Sequence, residues 1–187
     1  FHEWNPVWDP DGEYMYYLSD RSFAPQLGSF EWNYLVDRET GVYALALRKD
    51  VPHPLPPESD EVTIESVGES EDGSEEDAAA ESGDEPIAIE FDGLARRVVR
   101  LPVEFDNYVG LSAGHDQVFF IRTGAQFYGR AGDVPTAIQT FRFQDRETVT
   151  LAERAGGYAL SRDGEHVLVV TGGRFELHEA SGNGDAR

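Results

Sequence analysis

The sequence predicts an all-β protein built as part of a β-propeller, and three observations support this fold class. A β-hairpin with an Asp-Gly turn occurs near the start of the chain and again near its end, with a looser copy between them. Further strand-like segments follow each hairpin, as expected for the four-stranded blades of a propeller. Helical periodicity is almost absent. An all-β sandwich is the competing fold, and the recurrence of the hairpin favours the propeller.

The first unit begins at the N-terminal end of the chain. Residues 6–8 predict a short strand, and Pro10-Asp11-Gly12 supplies the residues of a tight turn, since glycine readily takes a positive φ. Residues 14–20 are rich in aromatic side chains and predict the second strand. The third and fourth strands are expected at 42–48 and 97–103.

The second and third units repeat this pattern. Near the end of the chain, residues 158–164 end with an Asp-Gly pair and precede the apolar segment 166–171. In the looser copy, residues 108–114 precede 117–122. Gly114 and Gly164 are 50 residues apart, a spacing typical of propeller blades. The remaining strands are expected at 137–143, 148–153 and 174–179.

These units give three predicted blades, at about 1–103, 107–153 and 156–187, the last one incomplete. A propeller ring typically needs about four to eight blades, so three cannot close one. The chain also begins with Phe1 and not with methionine. We therefore expect an internal segment of a longer polypeptide, with the rest of that parent chain as its first partner.

Two insertions interrupt the first predicted blade. Residues 22–41 carry Phe23, Leu27 and Leu35 among other apolar side chains, and this insertion is expected to pack against the fold. Residues 58–92 contain 15 acidic and no basic residues. The centre of this tract, 69–83, is expected to be disordered because its composition cannot bury enough apolar surface to offset the entropy of ordering.

The net charge of −21 limits the partners. Such a polyanion repels nucleic-acid backbones and anionic lipid, so we expect neither nucleic acid nor a membrane as a partner. Cysteine is absent, which removes disulfides and thiolate chemistry and mildly favours a cytoplasmic location.

A search for catalytic and ligand-binding motifs predicts no catalytic residue, no metal and no cofactor. The sequence has no G-x-S-x-G nucleophile turn and no H-E-x-x-H pair. Asp9-x-Asp11-Gly12 faintly resembles a calcium loop but is better interpreted as a turn. His115-Asp116 is likewise interpreted as part of a turn. The histidines are scattered and are expected at surface or turn positions.

Two sets of side chains remain as candidates for contact with a peptide. Arginine binds carboxylates through paired hydrogen bonds, so Arg96, Arg97 and Arg100 could grip a peptide carboxylate, although side chains of this kind usually alternate toward solvent on an outer strand. Aromatic side chains could line a peptide channel, but packing between sheets is the stronger interpretation. These aromatic residues are Trp4, Trp8, Tyr14, Tyr16 and Tyr17.

Several of these segments, in this order, resemble the tricorn family of proteases. The similarity lies in residues 18–25, 42–55, 91–103 with Asn107-Tyr108 after them, and 157–164. It runs with gaps over most of the chain. The acidic tract departs from the shorter linker that is usual in the family.

The resemblance implies later blades of the family's second, seven-bladed propeller, which is linked to the access of peptides to a buried serine-protease site. It implies peptide substrates, a homo-oligomeric parent and catalytic residues that lie outside this segment. Two alternatives stay open. One is a TolB-like propeller that binds protein partners, and the other is the propeller cap of a prolyl-oligopeptidase-type enzyme.

Overall fold

The computed structural model describes residues 2–28, 34–57, 86–125 and 129–181, and these residues form an all-β structure. Apart from one short 3-10 helix at Leu94–Arg97, the regular elements within these ranges are strands. In chain order the strands are β1 (Glu3–Trp8), β2 (Tyr14–Asp20), β3 (Gln26–Leu27), β4 (Tyr34–Leu35), β5 (Thr40–Ala46), β6 (Val98–Arg100), β7 (Tyr108–Ala113), β8 (Gln117–Arg122), β9 (Ala137–Arg142), β10 (Glu147–Glu153), β11 (Ala155–Leu160), β12 (His166–Thr171) and β13 (Arg174–Glu179).

The strands form three successive antiparallel sheets. Sheet I has the order β1-β2-β5-β6, sheet II has the order β7-β8-β9-β10, and sheet III has the order β11-β12-β13. Within each sheet the strands are arranged in chain order, with β3 and β4 inserted between β2 and β5 of sheet I, and this is the up-and-down arrangement of a propeller blade. The predicted fold class, an all-β partial propeller, is confirmed.

The hairpins of sheets I and III are closed by the same turn. In sheet I, the Asp9 N–H donates to the Tyr14 carbonyl at 3.0 Å, and Gly12 takes a φ of 69°. In sheet III, the Ser161 N–H donates to the His166 carbonyl at 2.9 Å, and Gly164 takes a φ of 74°. A positive φ strains residues with a Cβ, so glycine is favoured at both positions.

The hairpin of sheet II corrects the predicted register of the repeat. The Gly114 N–H donates to the Gln117 carbonyl at 2.8 Å, so Gly114 takes the place of Asp9 and Ser161 and not that of the turn glycines. His115-Asp116 is then the whole loop. The spacing of 50 residues between Gly114 and Gly164 therefore does not join equivalent positions, because the loop of sheet II is shorter.

Both faces of sheet II are buried, one against sheet I and the other against sheet III. One face carries Val118 and Phe120, which pack against Leu18 and Val42 of sheet I. The opposite face carries the fully buried Phe119 and packs against sheet III. Since successive residues of a strand point to opposite faces, one strand supplies both contacts.

The outward faces of sheets I and III are apolar and have no further sheet against them among the described residues. On sheet III, Leu168 pairs with Leu177, and Phe175 lies on the same face. These side chains are 39%, 42% and 72% exposed. The outward face of sheet I carries Tyr17 and Tyr43, whose rings stack at 5.6 Å.

The insertion at 22–41 differs from its prediction. Its short hairpin, β3 with β4, leaves Phe23 75% exposed and Leu35 59% exposed, so the expectation that it packs against the fold is wrong for these side chains. Two paired residues in each strand provide too little surface for a core of their own. The predicted disordered segment, 69–83, lies outside the described residues.

The two insertions leave sheet I from opposite ends of its strands. Asp20 pairs with Thr40 at one end, where β3 and β4 are inserted. At the other end, the Leu47 carbonyl accepts a hydrogen bond from the Glu90 N–H at 2.9 Å, and the described ends of the acidic insertion meet the sheet there. We call the first end the groove rim and the second the turn rim, because the three hairpin turns lie at the latter.

An asparagine side chain joins the first strands of sheets I and II. Asn5 lies at an irregularity in β1 with a φ of 52°. Its Oδ1 accepts from the Leu111 N–H at 2.9 Å, and its Nδ2 donates to the Leu111 carbonyl at 3.2 Å. The amide thus imitates one rung of a β-ladder between strands that are not paired through their backbones. Asparagine tolerates this left-handed conformation better than most residues.

Replacement of Asn5 tests this bridge. Asn5→Ala is expected to lower the free energy of unfolding by about 1–3 kcal/mol, because the buried Leu111 N–H loses its acceptor and alanine disfavours a positive φ. Asn5→Gly keeps the conformation and loses the bonds, so its cost is expected to be smaller. Urea denaturation followed by tryptophan fluorescence measures both, and wild-type stability of Asn5→Ala contradicts the role of the bridge.

Candidate functional site

The three arginines that the sequence singled out have different surroundings. Arg97 donates from Nε to the Ala46 carbonyl at 2.9 Å and from Nη1 to the Asp92 carbonyl at 2.8 Å. These bonds fasten the 3-10 helix to the end of β5. The guanidinium of Arg100 lies 4.8 Å from the centre of the Phe105 ring, and Arg96 is exposed. Contact of the three with a peptide stays a prediction.

The turn rim brings acidic and histidine side chains of neighbouring sheets together. His115 Nδ1 lies 3.2 Å from Asp11 Oδ1, so the turn of sheet II contacts the turn of sheet I. Asp9 lies beneath this turn and is 5% exposed. Its burial raises the pKa of the carboxyl group, against the lowering effect of the Glu13 backbone N–H.

One group on the turn rim has the donor atoms for a metal ion. Ligand atoms of Asp163, Glu165 and His166 lie within 4.8 Å of one another. The Asp163 carboxylate already accepts hydrogen bonds from the Ser161 hydroxyl and the Glu165 N–H, and these lower its pKa. The hydrogen bonds account for the position of Asp163 as part of the turn, as in an Asx-type loop.

A groove of about 730 Å³ opens at the groove rim, between sheets I and II. We call it the rim groove. It is bounded by the starts of β1, β5 and β7, by the segment that leads from β4 into β5, and by the chain that follows β8. The residues that line it are His2, Trp4, Asp20, Leu35, Val36, Asp37, Glu39, Thr40, Asn107, Tyr108, Val109, Thr123, Gly124 and Ala125.

The rim groove combines apolar walls with carboxylates. Leu35, Val36 and Val109 are 59%, 41% and 42% exposed, so their side chains offer apolar contact to a ligand. Asp20 accepts a hydrogen bond from the Thr40 hydroxyl at 2.8 Å. Glu39, which precedes Thr40 in the chain, is half-buried. The groove therefore offers both apolar contact and negative charge.

Arg38 fixes the wall of the groove that comes from the insertion. It has a φ of 54°, and its guanidinium meets three carboxylates: Asp37 at 2.7 Å, Asp106 at 3.4 Å, and Asp133. Its backbone N–H donates to Asn107 Oδ1 at 3.0 Å. The hydrogen bond to Asp133 is the main reason why the pKa of Arg38 is raised. The charge of Arg38 is thus used within this network.

The sequence interpretation missed the rim groove. Its residues come from five separate stretches of the chain, and none forms a recognisable motif. The one available signal is the mixed segment Leu35-Val36-Asp37-Arg38-Glu39, which places apolar and charged residues together just before a strand.

Two tyrosine hydroxyls bond to backbone carbonyls away from the rim groove. The hydroxyl of Tyr158 on β11 lies 2.5 Å from the Gly110 carbonyl oxygen and 3.0 Å from the Phe119 carbonyl oxygen, both in sheet II, so these two acceptors share its one proton. Burial raises the pKa of Tyr158 to about 12. Burial also raises the pKa of Tyr14 to about 12, and the Tyr14 hydroxyl donates to the Pro52 carbonyl.

Antiparallel sheets stacked face to face in chain order define a segment of a β-propeller. The sequence matches the family described as tricorn protease second beta propeller domain over residues 1–181. The chain therefore belongs to this family, and the resemblance seen in the sequence is confirmed. Among the described residues, no helix has the length and apolar character needed to cross a membrane.

Two relatives carry the name of tricorn protease homologues. The chain is 27% identical over 197 residues to tricorn protease homolog 1 of Streptomyces coelicolor, covering 100% of this chain and 18% of that protein. It is 23% identical over 182 residues to the tricorn protease homolog of Saccharolobus solfataricus, covering 96% of this chain and 15% of that protein. The chain thus spans less than a fifth of the length of these relatives.

A solved structure agrees in fold. The crystal structure of the tricorn protease matches with a TM-score of 0.66 and 16% sequence identity, over 100% of this chain and 17% of that chain. At this identity the likeness concerns the fold alone.

The buried tyrosines predict a loss of stability in alkali. The unfolded chain ionises its tyrosines near pH 10, whereas folded Tyr14 and Tyr158 hold their protons to about pH 12. Between these values the folded state binds more protons, so the stability present below pH 10 is lost as the pH rises. Urea midpoints between pH 8 and pH 12 measure this loss. The urea midpoint of Tyr158→Phe is expected to fall less steeply with pH above pH 10 than that of the wild type. Equal slopes for the two proteins contradict the assignment of this loss to Tyr158.

Proposed function

We propose that this chain is a non-catalytic β-propeller segment that scaffolds a tricorn-like peptidase and gates the access of peptides to a protease site elsewhere in the parent chain. Membership of the second-propeller family is the observation that carries this proposal. The short share of each relative that the chain covers supports a parent with further domains.

The scaffolding role rests chiefly on the outward face of sheet III. Its apolar side chains are open to water, which is costly, and such surfaces commonly mark interfaces. On sheet I, Tyr17 and Tyr43 are already buried beside Leu94 and Val98. Leu168 and Leu177 occupy on sheet III the same outward face that Phe119 occupies on sheet II, where the next sheet covers it. We therefore take sheets I to III as successive blades, at about 1–103, 107–153 and 156–187, with further blades of the parent on either side.

The gating role rests on the first strand of each sheet. β1, β7 and β11 are each the edge strand of their sheet. The Asn5 bridge joins β1 to β7, and the Tyr158 hydroxyl joins β11 to β7. β1 and β7 therefore lie side by side, as strands around the central channel of a propeller do, and the Tyr158 side chain reaches from β11 to β7. A peptide that passes through the channel would pass from one rim to the other along this wall.

Several finer predictions accompany this proposal. Peptide contact by Arg96, Arg97 and Arg100, a homo-oligomeric parent and a cytoplasmic location are carried forward as predictions. Arg96 and Arg100 are exposed, whereas Arg97 is half-buried.

A second candidate function is a propeller that binds protein partners without gating. The exposed apolar side chains of the insertion favour it, since Phe23, Leu27 and Leu35 present an apolar surface at the groove rim. Surfaces of this kind are common at protein interfaces.

A bulky group at the turn rim tests the gate. Asp116 is exposed in the turn that follows β7, and its backbone carbonyl holds the Phe143 N–H, so Asp116→Cys keeps the backbone contact. In the parent protein, a polyethylene glycol maleimide on this cysteine is expected to slow hydrolysis of a long fluorogenic peptide more than that of a short one, because it narrows the channel mouth.

Thr148→Cys with the same label is the matched control. Thr148 is exposed on β10, the edge strand on the far side of sheet II. Labelling there is expected to leave both rates unchanged. Equal effects at the two positions, or no effect at Asp116→Cys, contradict the gating role and leave the protein-binding propeller as the better account.

A further inference from the structure

We propose that the rim groove binds the cationic N-terminal end of an extended peptide, an assignment that rests on the proposed function. Asp20 and Glu39 would hold the positive charge, and the apolar walls would hold the side chains that follow. Three features of the groove point to this ligand class: its apolar walls, its uncompensated carboxylates and the charge of the chain around it.

The apolar walls suit a peptide chain and not a small ion. Trp4 forms one wall, and Val36 and Val109 form others, with much of each valine open to the groove. Contact with these side chains releases water from apolar surface, which favours binding of peptide side chains without regard to sequence. A groove of about 730 Å³ holds a few residues of extended chain.

The carboxylates keep most of their charge for a ligand. Among the described residues, the Glu39 carboxylate makes no hydrogen bond or ion pair. Asp20 receives one hydrogen bond from Thr40 and lies 3.6 Å from His2, which is positive only when protonated. Arg38 cannot neutralise them, because its guanidinium is held by Asp37, Asp106 and Asp133.

The sign of these charges selects the end of the peptide. A carboxylate ligand would meet Asp20 and Glu39 and be repelled, whereas an α-ammonium group or a lysine side chain is attracted. Outside residues 58–92 the chain has 21 acidic and 15 basic residues, a net charge of −6, so the longer-range field has the same sign and steers oppositely charged ligands. The groove thus complements the N-terminal end of a peptide, whereas Arg96, Arg97 and Arg100 were predicted to grip a peptide carboxylate.

Peptide binding to the full parent protein, inactivated by a serine-directed inhibitor, tests this site. The probe is a hexapeptide with an N-terminal lysine followed by apolar residues, labelled with fluorescein at its C-terminus. Its twin has an acetylated N-terminus and norleucine in place of lysine, so it has the same shape without the two positive charges. Fluorescence anisotropy gives the dissociation constant of each.

Three variants locate the binding. Glu39→Gln removes one charge from the groove, and Asp20→Asn with Glu39→Gln removes both while asparagine still accepts the Thr40 hydrogen bond. Glu165→Gln removes the same charge from an exposed position on the turn rim and is the matched control. Thermal denaturation checks that each variant is folded.

The double variant is expected to bind the lysine peptide about tenfold more weakly than the wild type, and Glu39→Gln is expected to fall between them. The acetylated twin is expected to bind weakly to every form. Equal binding of the two peptides by the wild type, or equal weakening by Glu165→Gln and Glu39→Gln, overturns the proposal.

The labelling test at Asp116 separates this inference from the proposed function. A slowed hydrolysis in labelled Asp116→Cys, together with unchanged binding in the double variant, leaves the gate standing and removes the groove as a peptide site. Unchanged hydrolysis in labelled Asp116→Cys, together with weakened binding in the double variant, keeps the groove as a peptide site and removes the gate.

Discussion

The structure depends on apolar contact between sheets that lie face to face. Phe119 and Phe120 are adjacent in β8, both fully buried, and they point to opposite neighbours. Burial of such side chains stabilises a fold by about 1.5–3 kcal/mol each, so a sheet with two covered faces is far more stable than one with a bare face. Sheet II has both neighbours. Among the described residues, sheets I and III each have one neighbouring sheet.

Those parts of the fold that depend on local chemistry could be predicted from the sequence. The turns at Gly12 and Gly164 need a positive φ, and the side chains of the aromatic and apolar strands after them alternate between the two faces of a sheet. The turn at Gly114 was misplaced because a shorter loop leaves the same residue types in a different register. The exposure of Phe23 could not be predicted, because the sequence of an apolar segment does not show whether another surface covers it. The rim groove was missed for a related reason, since its residues meet only through the stacking of two sheets.

The two rims of this segment differ in what they offer a ligand. At the turn rim, Asp11 and His115 connect neighbouring turns, and the ends of the acidic insertion meet the sheet. At the groove rim, the Arg38 network holds the inserted segment against the start of sheet II and shapes a concave, apolar and negative surface. The insertions therefore elaborate the openings of the propeller and leave its stacked core unchanged, as loops on a rigid scaffold commonly do.

The central claim is that the outward faces are interfaces with further sheets of the parent chain. The most direct test replaces Leu177, on the outward face of sheet III, with cysteine in the parent protein. Thr148→Cys, on the outer strand of sheet II, is the exposed reference. Maleimide labelling of the folded parent under native conditions gives the two rates. The account predicts that Leu177→Cys reacts much more slowly than Thr148→Cys and reaches the same rate after denaturation. Equal rates in the folded parent would contradict it, because an uncovered face would leave Leu177 open to solvent.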